Sequence, residues 1–132
     1  MSTYSGFLSG LAGMVVTGVT KRFSEPPAQL SSAQLPAQYV ALPDGSTSVA
    51  TFSGVSGLTE CVAQIRIVIE PLGQNTQSAN WTKATTLIDA MQAAIATNAN
   101  TLDIDSWKMA INVEPIGDAA YWVIVAEVTG SF

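Results

Sequence analysis

The chain has no histidine and only one cysteine among its 132 residues. The missing histidine excludes the commonest general base, Ser–His and Cys–His dyads, and most zinc sites. Cys61 cannot form an intrachain disulfide or a thiolate cluster, and its apolar surroundings in the sequence indicate a small buried side chain rather than a nucleophile. No G-x-x-x-x-G-K-[ST] phosphate loop and no G-x-S-x-G elbow occurs. The residues therefore favour a protein that is not an enzyme and needs no cofactor or metal.

Charge is also scarce: 11% of the residues are charged, against roughly 25% in ordinary soluble domains. Removing water from a surface with few charges costs little free energy. This favours a protein that buries much of its surface in an assembly. A soluble domain whose polar surface comes from Ser, Thr, Gln and Asn fits the composition equally well. The net charge is −5 and Lys21-Arg22 is the only adjacent basic pair, so binding to nucleic acid through its phosphates is not expected.

Asp103 and Asp105 form an Asp-x-Asp sequence in the predicted turn before a strand. Two carboxylates at this distance can hold a hard cation. No third ligand lies nearby in the sequence, so a solvated turn is the preferred interpretation.

A strand and a helix form the centre of the predicted fold. Residues 61–71 alternate with period two, which places an isoleucine-rich set on one face and Gln64, Arg66, Val68 and Glu70 on the other. Residues 80–97 change to helical spacing, with Ser78 or Asn80 as the predicted N-cap. The apolar stripe of this helix comprises Trp81, Ala84, Leu87, Ile88, Met91, Ala94 and Ile95. The three tryptophans of the chain are expected in the core.

The N-terminal segment, about 3–19, predicts a helix packed on the sheet, most regular over 3–17, with Leu8, Leu11, Val15 and Val19 on one face. Its glycines weaken the helix, or allow a neighbouring backbone to approach closely. The apolar run is too short to cross a bilayer, and its positive charges follow it, unlike those of a secretory signal. No membrane contact is expected.

An extended arm is predicted over 24–45, because four of the six prolines fall there and exclude a regular helix. Its apolar side chains are too numerous to be left in water, and a segment this extended is poorly shaped to cover its own small core. The arm is therefore expected to lie across a neighbouring subunit. Within it, 39–42 predicts a short edge strand, and Asp44-Gly45 predicts a turn before a strand over 47–54.

Two further alternating runs, 107–114 and 121–128, predict an antiparallel hairpin that turns at 115–118. Lys108, Glu114 and Glu127 are expected on the same face as Arg66 and Glu70, and that charged face is either solvated or a polar subunit interface. The complete order is helix, extended arm, two strands, helix, two strands. It predicts a single α+β domain over 1–132, with a mainly antiparallel four- or five-stranded sheet and two helices packed on one face.

Three stretches carry a family resemblance: 19–23 followed by the proline-rich segment, 35–45, and 71–81. Together with the element order they resemble the tail-terminator, or tail-completion, proteins of tailed bacteriophages. The resemblance implies a ring, usually of six subunits, that caps the finished tail tube and docks to a head-completion or connector protein. It also implies a place at the head-proximal end of the tail, after assembly in the host cytoplasm, with DNA passing through the ring without specific binding. No catalysis and no cofactor are implied.

Other structural proteins share this kind of small fold, so a neck or tail-tube protein is the first alternative, and a small soluble ligand-binding domain is the second. The residues expected at the subunit or tube interface lie in the arm and on the charged strand face. They are Pro26, Pro27, Leu30, Leu35, Pro36, Tyr39, Leu42, Pro43, Arg66 and Glu70.

Overall fold

The computed structural model describes residues 3–43, 49–52, 59–71 and 77–132, and only the backbone of Ser32, Phe52 and 77–80. The turn predicted at Asp44-Gly45 and most of the strand predicted over 47–54 lie outside the described residues. The elements in chain order are α1 (Tyr4–Ala12), β1 (Lys21–Phe23), a 3-10 turn (Ser32–Gln34), β2 (Ala37–Ala41), β3 (Ala50–Phe52), β4 (Thr59–Pro71), α2 (Gln77–Asn98), β5 (Ile104–Ile116) and β6 (Ala119–Ser131).

The described strands form one mixed sheet of six, in the order β1-β2-β4-β6-β5, with β3 beside the first part of β4. Among these described strands, β1 and β2 pair in parallel and the other pairings are antiparallel. The α+β class is confirmed, whereas the predicted number of four or five strands is too low. The extra strand arises because the chain crosses from β1 to β2 through the arm, which is long enough for a parallel return. The predicted edge strand at 39–42 therefore lies inside the sheet, between β1 and β4.

The first face of the sheet carries the main core. The predicted isoleucine face of β4 is confirmed, since Ala63, Ile65, Ile67 and Ile69 are all at most 2% exposed and belong to one cluster. Both helices cover this face through buried residues that include Phe7 and Leu11 from α1 and Leu87 and Met91 from α2.

Helix α1 ends at Ala12, so the helix predicted over 3–17 is too long. Thr3 caps its start, where the hydroxyl oxygen accepts a hydrogen bond from the Gly6 amide at 3.0 Å. Gly13 is the C-cap, and its amide donates to Ser9 at 3.1 Å. Beyond it, Met14 and Val16 are buried while Val15 is 69% exposed, so the burial alternates and the predicted helical face through Val15 does not form.

Helix α2 spans Gln77–Asn98, so Ser78 and Asn80 lie inside the helix and are not its N-cap. The predicted stripe is buried at Ala84, Leu87, Met91, Ala94 and Ile95, but Trp81 is 54% exposed. The sheet therefore covers the stripe only from Ala84 onward. Trp107 and Trp122 are half-buried against the core, so the expectation of three core tryptophans is wrong for Trp81.

The hairpin of β5 and β6 is confirmed, and both strands are longer than predicted. They turn at Gly117-Asp118, where Gly117 has φ +61, a conformation that favours glycine. Strand β6 lies between β4 and β5 and is largely buried, whereas β5 is an edge strand with mostly exposed side chains. Both faces of the sheet are therefore largely exposed to solvent along β5.

Candidate functional site

The second face of the sheet carries the charged residues that the alternation of β4 predicted. Arg66 is 8% exposed, and its Nε and Nη2 donate to the Gln64 Oε1 at 3.0 and 2.6 Å. Its Nη1 lies 3.1 Å from a carboxylate oxygen of Glu114. Lys108 and Glu127 are directly opposite each other on β5 and β6, and the Lys108 Nζ lies 3.5 Å from the Glu127 Oε1. Arg66 is therefore held by Gln64 and neutralised by the Glu114 carboxylate rather than presented to an anionic ligand.

Tyr39 lies directly opposite Arg66 in the pairing of β2 with β4 and is 5% exposed. Burial raises the pKa of the Tyr39 hydroxyl, and the adjacent Arg66 guanidinium partly offsets that rise. The ring packs with Val68, Ile116, Tyr121, Val123 and Val125 in a second, smaller apolar cluster. Tyr39 therefore belongs to the core of the chain itself and does not offer an exposed ring for an interface.

Glu70 is not on the second face, and its prediction there is wrong. A bulge between Val68 and Glu70 shifts the register, so that Val68 opposes Val123 while Glu70 opposes Trp122. Directly opposed residues share a face, and Trp122 packs on the first core. Glu70 thus turns towards α2, where its carboxylate pairs with Lys83. The extra residue of the bulge is what a strict period of two cannot anticipate.

The arm covers its own sheet, which contradicts the expectation that it is poorly shaped to cover its own core. Leu30 and Leu35 pack against the second cluster. At the hairpin turn, a Cβ built on Gly117 would lie 2.9 Å from Gln29 Cγ and 3.0 Å from the Ala28 carbonyl oxygen, so the arm touches the turn closely. The Pro36 carbonyl accepts from the Thr20 amide at 2.8 Å, and the Leu35–Pro36 peptide bond is cis. Nonlocal packing of this kind leaves no signal in the local sequence pattern.

A cleft of about 620 Å³ remains between the start of the arm and the sheet. Its lining includes five of the predicted interface residues, Pro26, Pro27, Tyr39, Leu42 and Arg66, together with Glu25, Glu114 and Ile116. The lining has two carboxylates against one guanidinium, so the cleft suits an apolar or cationic group better than a phosphate. Leu42, 57% exposed, is the most open of the large predicted interface side chains, whereas Pro43 is half-buried.

The alternation of side chains along β5 was predicted correctly, but the sequence did not indicate that the strand is exposed. Ile111 and Val113 lie on the same face as Trp107 and Met109, yet they are 45% and 47% exposed. In the described part of the chain, no strand pairs with the outer edge of β5. Sequence alternation shows which residues share a face, but it does not show which strand lies at the edge.

The residues with possible chemistry, Cys61, Asp103 and Asp105, lie near one another, beside the last residues of β6. Cys61 is fully buried, and its thiol donates to the Gly130 carbonyl at 3.6 Å. Burial, with the nearby carboxylates of Asp105 and Glu60, raises the pKa of this thiol. Asp105 accepts a hydrogen bond from Ser131 at 2.5 Å, and Asp103 has a left-handed φ of 58 in the turn before β5. Among the described residues, no three His, Cys, Asp or Glu side chains are placed to hold a metal ion.

Neither helix in the described ranges combines the length and the apolar character needed to cross a membrane. Comparison with protein-family models finds no match, and comparison with curated proteins finds no significant match either.

Proposed function

We propose that the chain is a structural subunit of a tailed-phage virion, a tail terminator whose ring caps the tail tube and joins it to the head connector. The starting point is the sequence resemblance in 19–23, 35–45 and 71–81. The structure adds support through one observation, the open edge of β5 with Ile111 and Val113 exposed on it.

An exposed edge strand is a template for pairing with another chain, and proteins that stay monomeric usually protect it with charge, proline or a short length. Strand β5 has 13 residues, and 109–113 carry no charge and no proline. A subunit that is buried on several sides in an assembly has less need of such protection. Leu42 and Trp81, exposed elsewhere on the fold, provide further apolar contact points.

The proposed partners follow from this position in the virion. They are five further copies in a ring, the tail tube protein, and a head-completion or connector protein. DNA passes through the ring without specific binding, and a net charge of −5 suits a channel that must not retain phosphates. In this role the protein lies at the head-proximal end of the tail, after the tail has assembled in the host cytoplasm. The protein catalyses no reaction in this role.

Electron microscopy of the purified chain, alone and mixed with isolated tail tubes, tests the function. Rings at one end of the tubes are expected. Long filaments formed by the chain itself would instead support a tube protein, which is the nearest alternative with this fold.

A ligand-binding domain is the second candidate, and the 620 Å³ cleft beside Tyr39 and Arg66 is the observation that favours it. Its volume lies within the range of small-molecule sites. A fragment screen by NMR that shifts the resonances of Tyr39, Ile116 and Leu42 together would support this candidate over a structural role.

A further inference from the structure

The outer edge of β5 has a residue order that suits pairing with a second copy of itself. Directly opposed residues of an antiparallel pair must share a face, which restricts a symmetric pairing to one centred on a residue. Centred on Ile111, the pairing places Lys108 opposite Glu114, Met109 opposite Val113, and Ala110 opposite Asn112.

This register matches both faces at once. On the second face, two Lys108–Glu114 contacts of opposite charge flank the seam. On the first face, Ile111 meets its symmetry mate between two Met109–Val113 pairs, so exposed apolar side chains cover each other. The neighbouring centres do not achieve this: a pairing centred on Ala110 sets Lys108 opposite Asn112, and one centred on Asn112 sets Glu114 opposite Ala110.

The geometry of the subunit leaves this edge accessible. The Lys108 side chain is 80% exposed and the Glu114 side chain 27% exposed, so neither is fully enclosed by its contact to Glu127 or Arg66. Asp105, where the β5–β6 register shifts, and Pro115 mark the two ends of the regular stretch. The segment between them is free of bulges and proline.

We infer that the free chain is a twofold dimer, in which two β5 strands pair antiparallel about Ile111 and join the two sheets into one. The dimer uses the same β5 edge that supports the proposed function, but it concerns the chain before it meets any tube. A ring in which all subunits point the same way around its axis contains no such twofold contact. The dimer must therefore open before a ring of that kind can close.

Light scattering after size exclusion tests the dimer on the full chain. The wild type is expected at twice the mass of the chain. Ile111→Lys places two lysines opposite each other in an apolar seam, and should weaken the dimer by about 100-fold or more because like charges in contact disfavour association. Val15→Lys is the matched control, since Val15 is also an exposed β-branched aliphatic side chain but lies outside β5, and it should leave the mass unchanged. A wild-type mass other than that of a dimer, or an Ile111→Lys mass equal to the wild type, overturns the inference.

Cysteine cross-linking tests the register independently of any loss of stability. Opposed residues have Cα atoms about 4.5–5.5 Å apart, within the range of a disulfide, so Ile111→Cys should link two copies on oxidation. Lys108→Cys should not, because the two copies of residue 108 lie about 20 Å apart in this register. Cross-linking of Lys108→Cys as fast as Ile111→Cys, or none in Ile111→Cys, contradicts the pairing. The light-scattering and cross-linking results do not depend on whether the chain forms rings on tail tubes.

Discussion

Glu70 of β4 forms an ion pair with Lys83 of α2, and it does so because the bulge in β4 turns the carboxylate from the second face of the sheet to the helix face. The side chain of Glu70 is 9% exposed and that of Lys83 is 49% exposed. The pair thus joins the largely buried end of the central strand to the first part of the helix.

Lys83→Met should therefore destabilise the fold by about 1 kcal/mol, because it removes a partner from a largely buried carboxylate. Lys108→Met is the control, since the Lys108 side chain is 80% exposed and should contribute less than about 0.5 kcal/mol to stability. Urea unfolding of both variants, measured below the concentration at which they associate, gives the comparison. Equal losses in the two variants would show that the turned carboxylate does not depend on Lys83.

A tight contact at Gly130 provides a second test of the packing. A Cβ there would lie 2.7 Å from the fully buried Phe7 ring and 2.7 Å from the Asp103 carbonyl oxygen, which is a backbone atom. Gly130→Ala should cost about 1–3 kcal/mol through overpacking. At Gly13 the nearest atoms to a new Cβ are 3.6 and 3.8 Å away and φ is −82, so Gly13→Ala should be neutral or stabilise by about 0.4–1 kcal/mol. Thermal unfolding that ranks the two variants in the opposite order would contradict the placement of α1 on β6.

Alkaline pH should weaken the fold because of Cys61, Tyr4 and Tyr39. Burial raises the pKa of each above its ordinary value, 9.0 for the thiol and 10.0 for the hydroxyls. The folded state thus favours the protonated forms, and this contribution is complete below pH 9 and is lost as the pH rises through the folded-state pKa values. The free energy of unfolding should be level from pH 7 to about 8.5 and fall above pH 9. Cys61→Ala should show a shallower fall, and a stability that rises with pH would contradict the assignment.

Two residues of the arm, Tyr39 and Leu42, should respond differently to substitution. Tyr39 is 5% exposed, so Tyr39→Ser should cost about 3–5 kcal/mol and disrupt the subunit itself. Leu42 is 57% exposed, so Leu42→Ser should cost less than about 0.5 kcal/mol and leave the subunit folded while weakening any contact made there. Circular dichroism with light scattering separates the effects. If Leu42→Ser unfolds the chain, or leaves every assembly unchanged, Leu42 is not an interface residue.

Much of the fold follows from residue order. The isoleucine face of β4, the stripe of α2 from Ala84, and the hairpin of β5 and β6 are local periodicities, and local periodicity survives folding. The predictions that were wrong depend on contacts between segments distant in sequence. Which strands become neighbours decides three features: the bulge before Glu70, the packing of the arm against Tyr39, and the exposure of Ile111 at a sheet edge. No alternation within a single strand can show this.

The candidate site was predictable to a similar degree. Arg66 and Glu114 were expected on one face and do meet there, because strict alternation holds on both of their strands up to those residues. Gln64, which accepts two of the Arg66 hydrogen bonds, was placed on the same face but not recognised as its partner. A glutamine between charged residues gives no distinctive sequence signal.

Electron microscopy of the wild-type chain mixed with isolated tail tubes is the direct test of the proposed ring at the end of a tail tube. A closed ring of six subunits is expected at one end of each tube. Tubes that remain bare at both ends at high concentrations of the chain, or filaments of the chain itself without tubes, would contradict it.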